Sequence, residues 1–338
     1  MRLISFALLL FLSFTAFGQK KDFTVLNLSL PPEIADANNQ FSGLYIHDDK
    51  LFLLSESRLQ NNAEAKLYAI NLSDLERNLS DSAFKLPFKK YLIYNLQILR
   101  DKMRPKGDEY EGLEAMVITG DEITFTVETT TPSPNCYILK GHLNDSVVIL
   151  DKDILLPIPK PLATNGSHIY NAGFEALAIF KKRIFLAFFE YNYFTDTNFV
   201  HWIDDWSFKN EGKYHPVPIK RLPFRITDIT ATGKSTFTAI NFFFKGEGKD
   251  EVYRVAKKDK KNYNLITDSG GFHNYCRLVE IKYKNASFTR KSLWEFPIDY
   301  MGYNWEGLAA YKNGYFIIND KYTPAKPYKT VLLYLKAK

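Results

Sequence analysis

The sequence predicts an all-β fold, a five-bladed β-propeller of four-stranded antiparallel blades. Three observations predict it. One strand–turn–strand unit recurs five times, turn-forming residues separate its two strands, and aromatic residues make up 15% of the chain. Internal repeats at such spacing mark propellers and solenoids, and aromatic and β-branched side chains favour strands.

Each copy opens on a polar residue, then a small residue and an apolar strand, and returns as a second apolar strand that ends on another polar residue. The first runs from Ser42-Gly43-Leu44 to Ser55-Glu56, the second from Glu111-Gly112-Leu113 to Val127-Glu128. The third runs from Glu175-Ala176-Leu177 to Phe189-Glu190, and the fourth from Thr227-Asp228-Ile229 to Ile240-Asn241. The fifth runs from Glu306-Gly307-Leu308 to Asn319-Asp320. The turns carry hairpin chemistry: His47-Asp48-Asp49, Thr119-Gly120-Asp121, Thr232-Gly233-Lys234 and Lys312-Asn313-Gly314. Gly, Asn and Asp tolerate the positive φ that tight hairpins need. Lys181-Lys182 in the third copy is a weaker signal.

A third strand follows each of the first four hairpins, at Lys66–Ile70, Asn135–Leu139, Phe199–Ile203 and Tyr275–Val279. Four antiparallel strands in radial array make a propeller blade. The fifth copy ends on Thr330–Leu335 and lacks an outer strand, so the strand-like Phe23–Leu28 is predicted to complete it and remove an exposed edge. A polar insertion, roughly residues 246–274, separates the second and third strands of the fourth copy; reading it as a degenerate sixth blade is the alternative.

Cys136 and Cys276 occupy third strands of non-adjacent blades, too far apart for a disulfide, whose Cα atoms must lie within about 7 Å. Two free, buried thiols are expected. Arg2, the apolar run Leu3–Phe17 and the small residues Ala16 and Gly18 read as a secretory signal over residues 1–18, with an exported product in periplasm or medium. No later run is long enough to span a bilayer. Residues 19–338 carry no linker or low-complexity tract and read as one domain. The formal charge of +6 is mild and mixed, with no basic stripe for a nucleic-acid polymer.

A hairpin returns its second strand to the end where the first began. Two rings are therefore predicted at one mouth: an inner ring of Ser42, Glu111, Glu175, Thr227 and Glu306, and an outer ring of Glu56, Glu128, Glu190, Asn241 and Asp320. Carboxylates converging on a narrow axis repel one another, and a hard cation relieves the repulsion. Calcium takes 6–8 oxygen ligands and is common outside the cell, so the inner ring is the candidate calcium site. The plainer reading gives these side chains only backbone-capping roles. No H-E-x-x-H, G-x-S-x-G or Walker-type loop is present.

The ring order Ser42, Glu111, Glu175, Thr227, Glu306 resembles that of the calcium-activated nucleotidases, the apyrase family of five-bladed propellers with one axial calcium. Ser55-Glu56-Ser57-Arg58 is similar to that family's acidic-then-arginine stretch. The E-G-L repeats resemble, more loosely, the bacterial phytase-like, esterase-like propellers. Both resemblances imply metal-assisted hydrolysis of a phosphorylated small molecule. On that reading Glu128 or Glu190 positions water, Arg58 pairs with phosphate, and Glu56, Asn241 and Asp320 face the substrate. Lys106, Lys245 and Lys321 flank the same mouth, and the Tyr191–Phe194 and Tyr300–Tyr303 clusters either stack on a ligand or pack internally. The competing function is a non-catalytic binding propeller whose axial metal is structural.

Overall fold

The computed structural model describes residues 22–59, 62–210, 212–246, 254–320 and 330–338; residues 1–18, expected to be a secretory signal, and Lys321 lie outside them. The described strands form five four-stranded units. The chain starts with β1 (Phe23–Asn27), which belongs to the last unit. The first unit holds β2 (Phe41–His47), β3 (Lys50–Ser55), β4 (Lys66–Asn71) and β5 (Lys89–Tyr94). The second holds β6 (Tyr110–Thr119), β7 (Glu122–Thr129), β8 (Asn135–Leu143) and β9 (Val147–Pro159). The third is β10 (Ala176–Phe180), β11 (Ile184–Phe188), β12 (Phe199–Ile203) and β13 (His215–Pro218). The fourth is β14 (Arg225–Gly233) and β15 (Thr236–Phe243), then, beyond a two-residue ribbon of β16 (Thr267–Asp268) and β17 (Gly271–Phe272), β18 (Tyr275–Lys284) and β19 (Ser287–Glu295). The last is β20 (Trp305–Tyr311), β21 (Gly314–Asn319), β22 (Leu332–Ala337) and β1.

Innermost strands neighbour one another in the cyclic order β2, β6, β10, β14, β20 and back to β2. This is a β-propeller. The strands nearest the axis are buried on both faces, which is why β3 reads Leu51-Phe52-Leu53-Leu54 without alternation. Among the described residues five hydrophobic cores form, one between each adjacent pair of units. Phe52 meets Met116 and Phe125, Ile138 meets Phe185, and Phe188 meets Phe237. Ile240 shares a core with Leu308, and Phe316 one with Leu53. Cys136 and Cys276 fall in two different cores and are free and buried, as expected.

The first and second units are also joined at their outer edges, where β5 pairs in parallel with β9, Leu92 opposite Val147. The predicted closure is present: β1 pairs antiparallel with β22, Phe23 opposite Ala337. The insertion in the fourth unit contributes, among the described residues, a short helix (Lys260–Tyr263) and the β16–β17 ribbon rather than a four-stranded sheet. Lys181 and Lys182 turn the third hairpin at φ 50° and 67°, so lysines adopt the conformation that Asn or Gly adopts elsewhere. No described helix is long and apolar enough to cross a membrane.

Candidate metal centre and active site

Four of the five inner-ring residues stand at β-bulges. Ser42, Glu111, Thr227 and Glu306 are each the unpaired residue where the innermost strand slips against its hairpin partner. Glu175 directly precedes β10. A bulge re-aims the extra side chain out of the ladder, and here it does so for one residue in each of four units. The hydroxyls and the carboxylates then part company. Ser42 Oγ donates to Leu113 O at 2.7 Å, and Thr227 Oγ1 donates to Trp305 O at 2.6 Å. Both are buried links between neighbouring innermost strands, away from the mouth cavity. The three glutamates line that cavity, which holds about 450 Å³.

The pairing register also divides the outer ring. Glu56, Glu190 and Asp320 are equivalent: their backbone N–H groups donate to Gln40, Gly173 and Asn304 carbonyls at the head of each unit. Asn241 lies one residue earlier, opposite Ile226, in the register of Ser55, Thr129 and Asn319. A one-residue offset turns a strand side chain to the other face. Asn241 therefore points inward, donating to Pro223 O and Arg225 O and accepting from Arg277. Glu128 lies two residues earlier, opposite Gly112, and so keeps the cavity-facing side.

Two arginines organise the carboxylates. Ser57, at φ 54°, turns the chain so that Arg58 reaches Glu111 at 3.0 Å and Glu56 at 3.5 Å. Arg225, at the start of β14, bonds Glu175 through Nη2 and Glu190 through Nε, and lies 3.9 Å from Glu306. Burial works against its charge, but Glu175 and Glu190 outweigh that and hold the guanidinium protonated. Glu190 is sealed from solvent, with its other oxygen accepting from Gly173 N at 2.9 Å. Lys106 and Lys245 are exposed. Tyr191 is core, Tyr193 bonds Asp259, and Tyr303 stacks on Trp305 at 5.2 Å, so the aromatic clusters are packing elements.

Glu56, Glu306 and Asp320 form a buried group whose oxygens lie within 4.8 Å of one another, and this group could hold a metal ion. It shares Glu306 with the predicted ring and adds two outer-ring residues. Burial, and next the neighbouring Asp320, pushes the Glu56 and Glu306 carboxyls well above their ordinary range. Such crowding of buried acids fits a site that gives up protons to a cation. The donors are all oxygen, with the Asn304 and Gln40 amides lining the same cavity, which suits a hard ion. Glu128 is raised to about 8, by burial first and Glu111 second, and its buried Oε1 receives no hydrogen bond. It holds a proton at neutral pH.

Three functional-looking groups went unread in the sequence. Glu114 occupies a second bulge in β6 and lines the cavity. Its signal was a lone charge inside the apolar run Leu113–Ile118. Arg225 stands two residues before Thr227, where other copies have Gln40, Gly173 and Asn304. Asp228 takes the place of the small residue after the ring position. Its carboxylate accepts from Leu308 N at 2.6 Å, Ile229 N at 2.7 Å and Leu44 N at 3.4 Å, tying three units together below the mouth. A depression of about 740 Å³ lies at the opposite end of the hairpins, where Arg183 lies 3.5 Å from Asp205 and His142 3.4 Å from Asp121.

The chain matches no family model and no curated protein sequence. It is similar in structure to the allergen Mala s 1 of Malassezia sympodialis, at 12% identity and TM-score 0.46 over 88% of this chain and 78% of that one. It is similar also to CoXyl43, a GH43 β-xylosidase/α-arabinofuranosidase from a compost microbial metagenome, at 6% identity and TM-score 0.48 over 93% and 94%. A GH43_1 enzyme from Xanthomonas citri aligns at 6% identity and TM-score 0.47 over 91% and 90%. Likeness at this level extends to general architecture alone.

Proposed function

We propose that this chain is an exported five-bladed propeller that binds calcium between Glu56, Glu306 and Asp320 and hydrolyses a phosphorylated small molecule at that mouth. The observation that carries the reading is the buried three-carboxylate group, open to a cavity that also contains a proton-bearing glutamate and two arginines. A bound divalent ion supplies charge neutralisation to phosphate oxygens. Glu128 donates its proton to the leaving oxygen as the phosphorus–oxygen ester bond breaks. Glu111, held by Arg58, accepts a proton from the water whose oxygen forms the new bond to phosphorus. Exchange through solvent returns the proton from Glu111 to Glu128, so the balance is ester plus water to alcohol plus phosphate.

The second reading, a non-catalytic binding propeller with a structural ion, is favoured by one observation. Arg58 and Arg225 are already ion-paired with ring carboxylates, so a phosphate must compete for them.

The test is phosphate release from UDP, GDP, ATP and phytate by residues 19–338, with calcium and then with chelator. Calcium-dependent release is expected, and Glu306→Gln is expected to weaken calcium binding by at least about tenfold in calorimetry. Release that ignores chelator, or a Glu306→Gln variant with unchanged calcium affinity, removes the metal from the mechanism. No release from a folded sample leaves the binding reading.

A further inference from the structure

Glu56, Glu306 and Asp320 come from two different units. Glu56 follows β3, which pairs with β2, the innermost strand of the first unit. Glu306 lies in β20, the innermost strand of the last unit, and Asp320 follows β21 beside it. The spacing of the three carboxylates is therefore set by how β2 and β20 are held against each other. Both strands end their sheets, so neither has a ladder partner on its axis side. Buried N–H groups on that side must find acceptors elsewhere.

Asp228 supplies the acceptor, and it comes from neither unit. Reaching from β14, its Oδ2 accepts from Leu308 N at 2.6 Å and from Leu44 N at 3.4 Å, so one oxygen bridges β20 and β2. Its Oδ1 accepts from Ile229 N at 2.7 Å, which fixes the orientation of the carboxylate. The side chain is only 3% exposed. Leu308 is two residues from Glu306. The two strands come close at this level, since a Cβ on Gly307 would lie 3.1 Å from Gly43 C. Asp228 lies below the mouth cavity rather than in its lining, so it reaches the ligands through the strands that carry them.

We propose that Asp228 is a positioning residue for the metal group. By bridging β2 and β20 it sets Glu56 against Glu306 and Asp320, and calcium affinity depends on that bridge. The proposal rests on the metal reading above and not on hydrolysis.

The test uses the full chain with calcium alone. In calorimetry, Asp228→Ala is expected to weaken calcium binding about tenfold or more. Asp228→Asn, whose amide oxygen can still accept from Leu44 and Leu308, is expected to recover most of that loss. Tyr315→Phe removes a buried bond of 3.0 Å to Thr238 between the fourth and last units. It is expected to lower the denaturant midpoint with calcium affinity unchanged. Coupling is reciprocal, so calcium must also tighten the bridge. In the unaltered protein calcium is expected to slow hydrogen exchange at the Leu44 and Leu308 amides beyond its effect at Ile226, whose N–H donates to Glu190 O at another seam. That measurement needs no variant and stands if Asp228→Ala does not fold. Parental calcium affinity in Asp228→Ala overturns the proposal, as does equal slowing at all three amides. Asp228→Asn as weak as Asp228→Ala assigns the effect to lost charge and overturns it as well. A parent that binds no calcium overturns the metal reading, and this proposal with it.

Discussion

Arg225 carries more of the mouth than any other single side chain. It ties Glu175 to Glu190 and approaches Glu306, so one guanidinium holds acids from the third unit beside one from the last. Breaking a buried pair by removing one partner leaves the other charge uncompensated and costs about 3–5 kcal/mol. Arg225→Met is expected to lose stability of that order in urea unfolding, and the double change with Glu190→Gln to recover part of it. Single-variant stability equal to the parent would show that the acids are neutral without Arg225. The five inner-ring residues were legible because they repeat. Arg225, Glu114 and Asp228 were not, since each occurs in one unit only and has no counterpart to align with. Ser42 and Thr227 were legible by position but not by role, because a hydroxyl at a bulge can serve the axis or a neighbouring carbonyl equally well, and only coordinates decide.

The innermost hairpins were the easiest elements to read, since turn residues and apolar runs mark both their ends. Their bulges were invisible, and bulges set the register. That is why Glu128 and Asn241, aligned in sequence with Glu56, lie two and one residues off it in the sheet. The small residues beside the bulges have separate reasons. A Cβ on Gly307 would lie 2.5 Å from Ile318 Cγ2 and 2.8 Å from Leu44 Cγ. A Cβ on Gly43 would meet nothing closer than 3.5 Å. Gly307→Ala is therefore expected to cost about 1–3 kcal/mol by overpacking, and Gly43→Ala to be tolerated, as denaturant midpoints would report. Equal effects would mean that the last and first units do not pack as closely as described. The helices Leu72–Ser80 and Leu96–Met103 were missed, being short connections inside a strand repeat.

At the scale of the whole molecule the acidic mouth links stability to pH. Burial raises Glu56, Glu114 and Glu306 well above the ordinary range, and takes Glu128 from 4.5 to about 8. The folded state then binds more protons than the unfolded chain, so stability falls as pH rises. For Glu128 the loss begins near 4.5 and is complete above about 8. In chelator, the melting temperature is expected to drop between pH 5 and pH 8, and calcium to restore it most at the alkaline end. A flat profile in chelator would mean that the mouth acids titrate normally. The ring and its closure by β1 were readable from the repeat. The outer-edge pairing of β5 with β9 was not, because parallel contacts between distant strands leave no local pattern.

The seam between the last unit and the first has a temporal consequence. Phe316 and Leu332 meet Leu53 there, and the candidate ligands straddle it, Glu56 on one side and Glu306 and Asp320 on the other. A chain made from its first residue onward completes β22 after every other strand of the ring, and only then does β1 find its partner. The candidate ligand group of Glu56, Glu306 and Asp320 is consequently not held together until the ring closes. On the proposed function, metal capture is a late event in biogenesis, a clasp that fastens only on a finished ring.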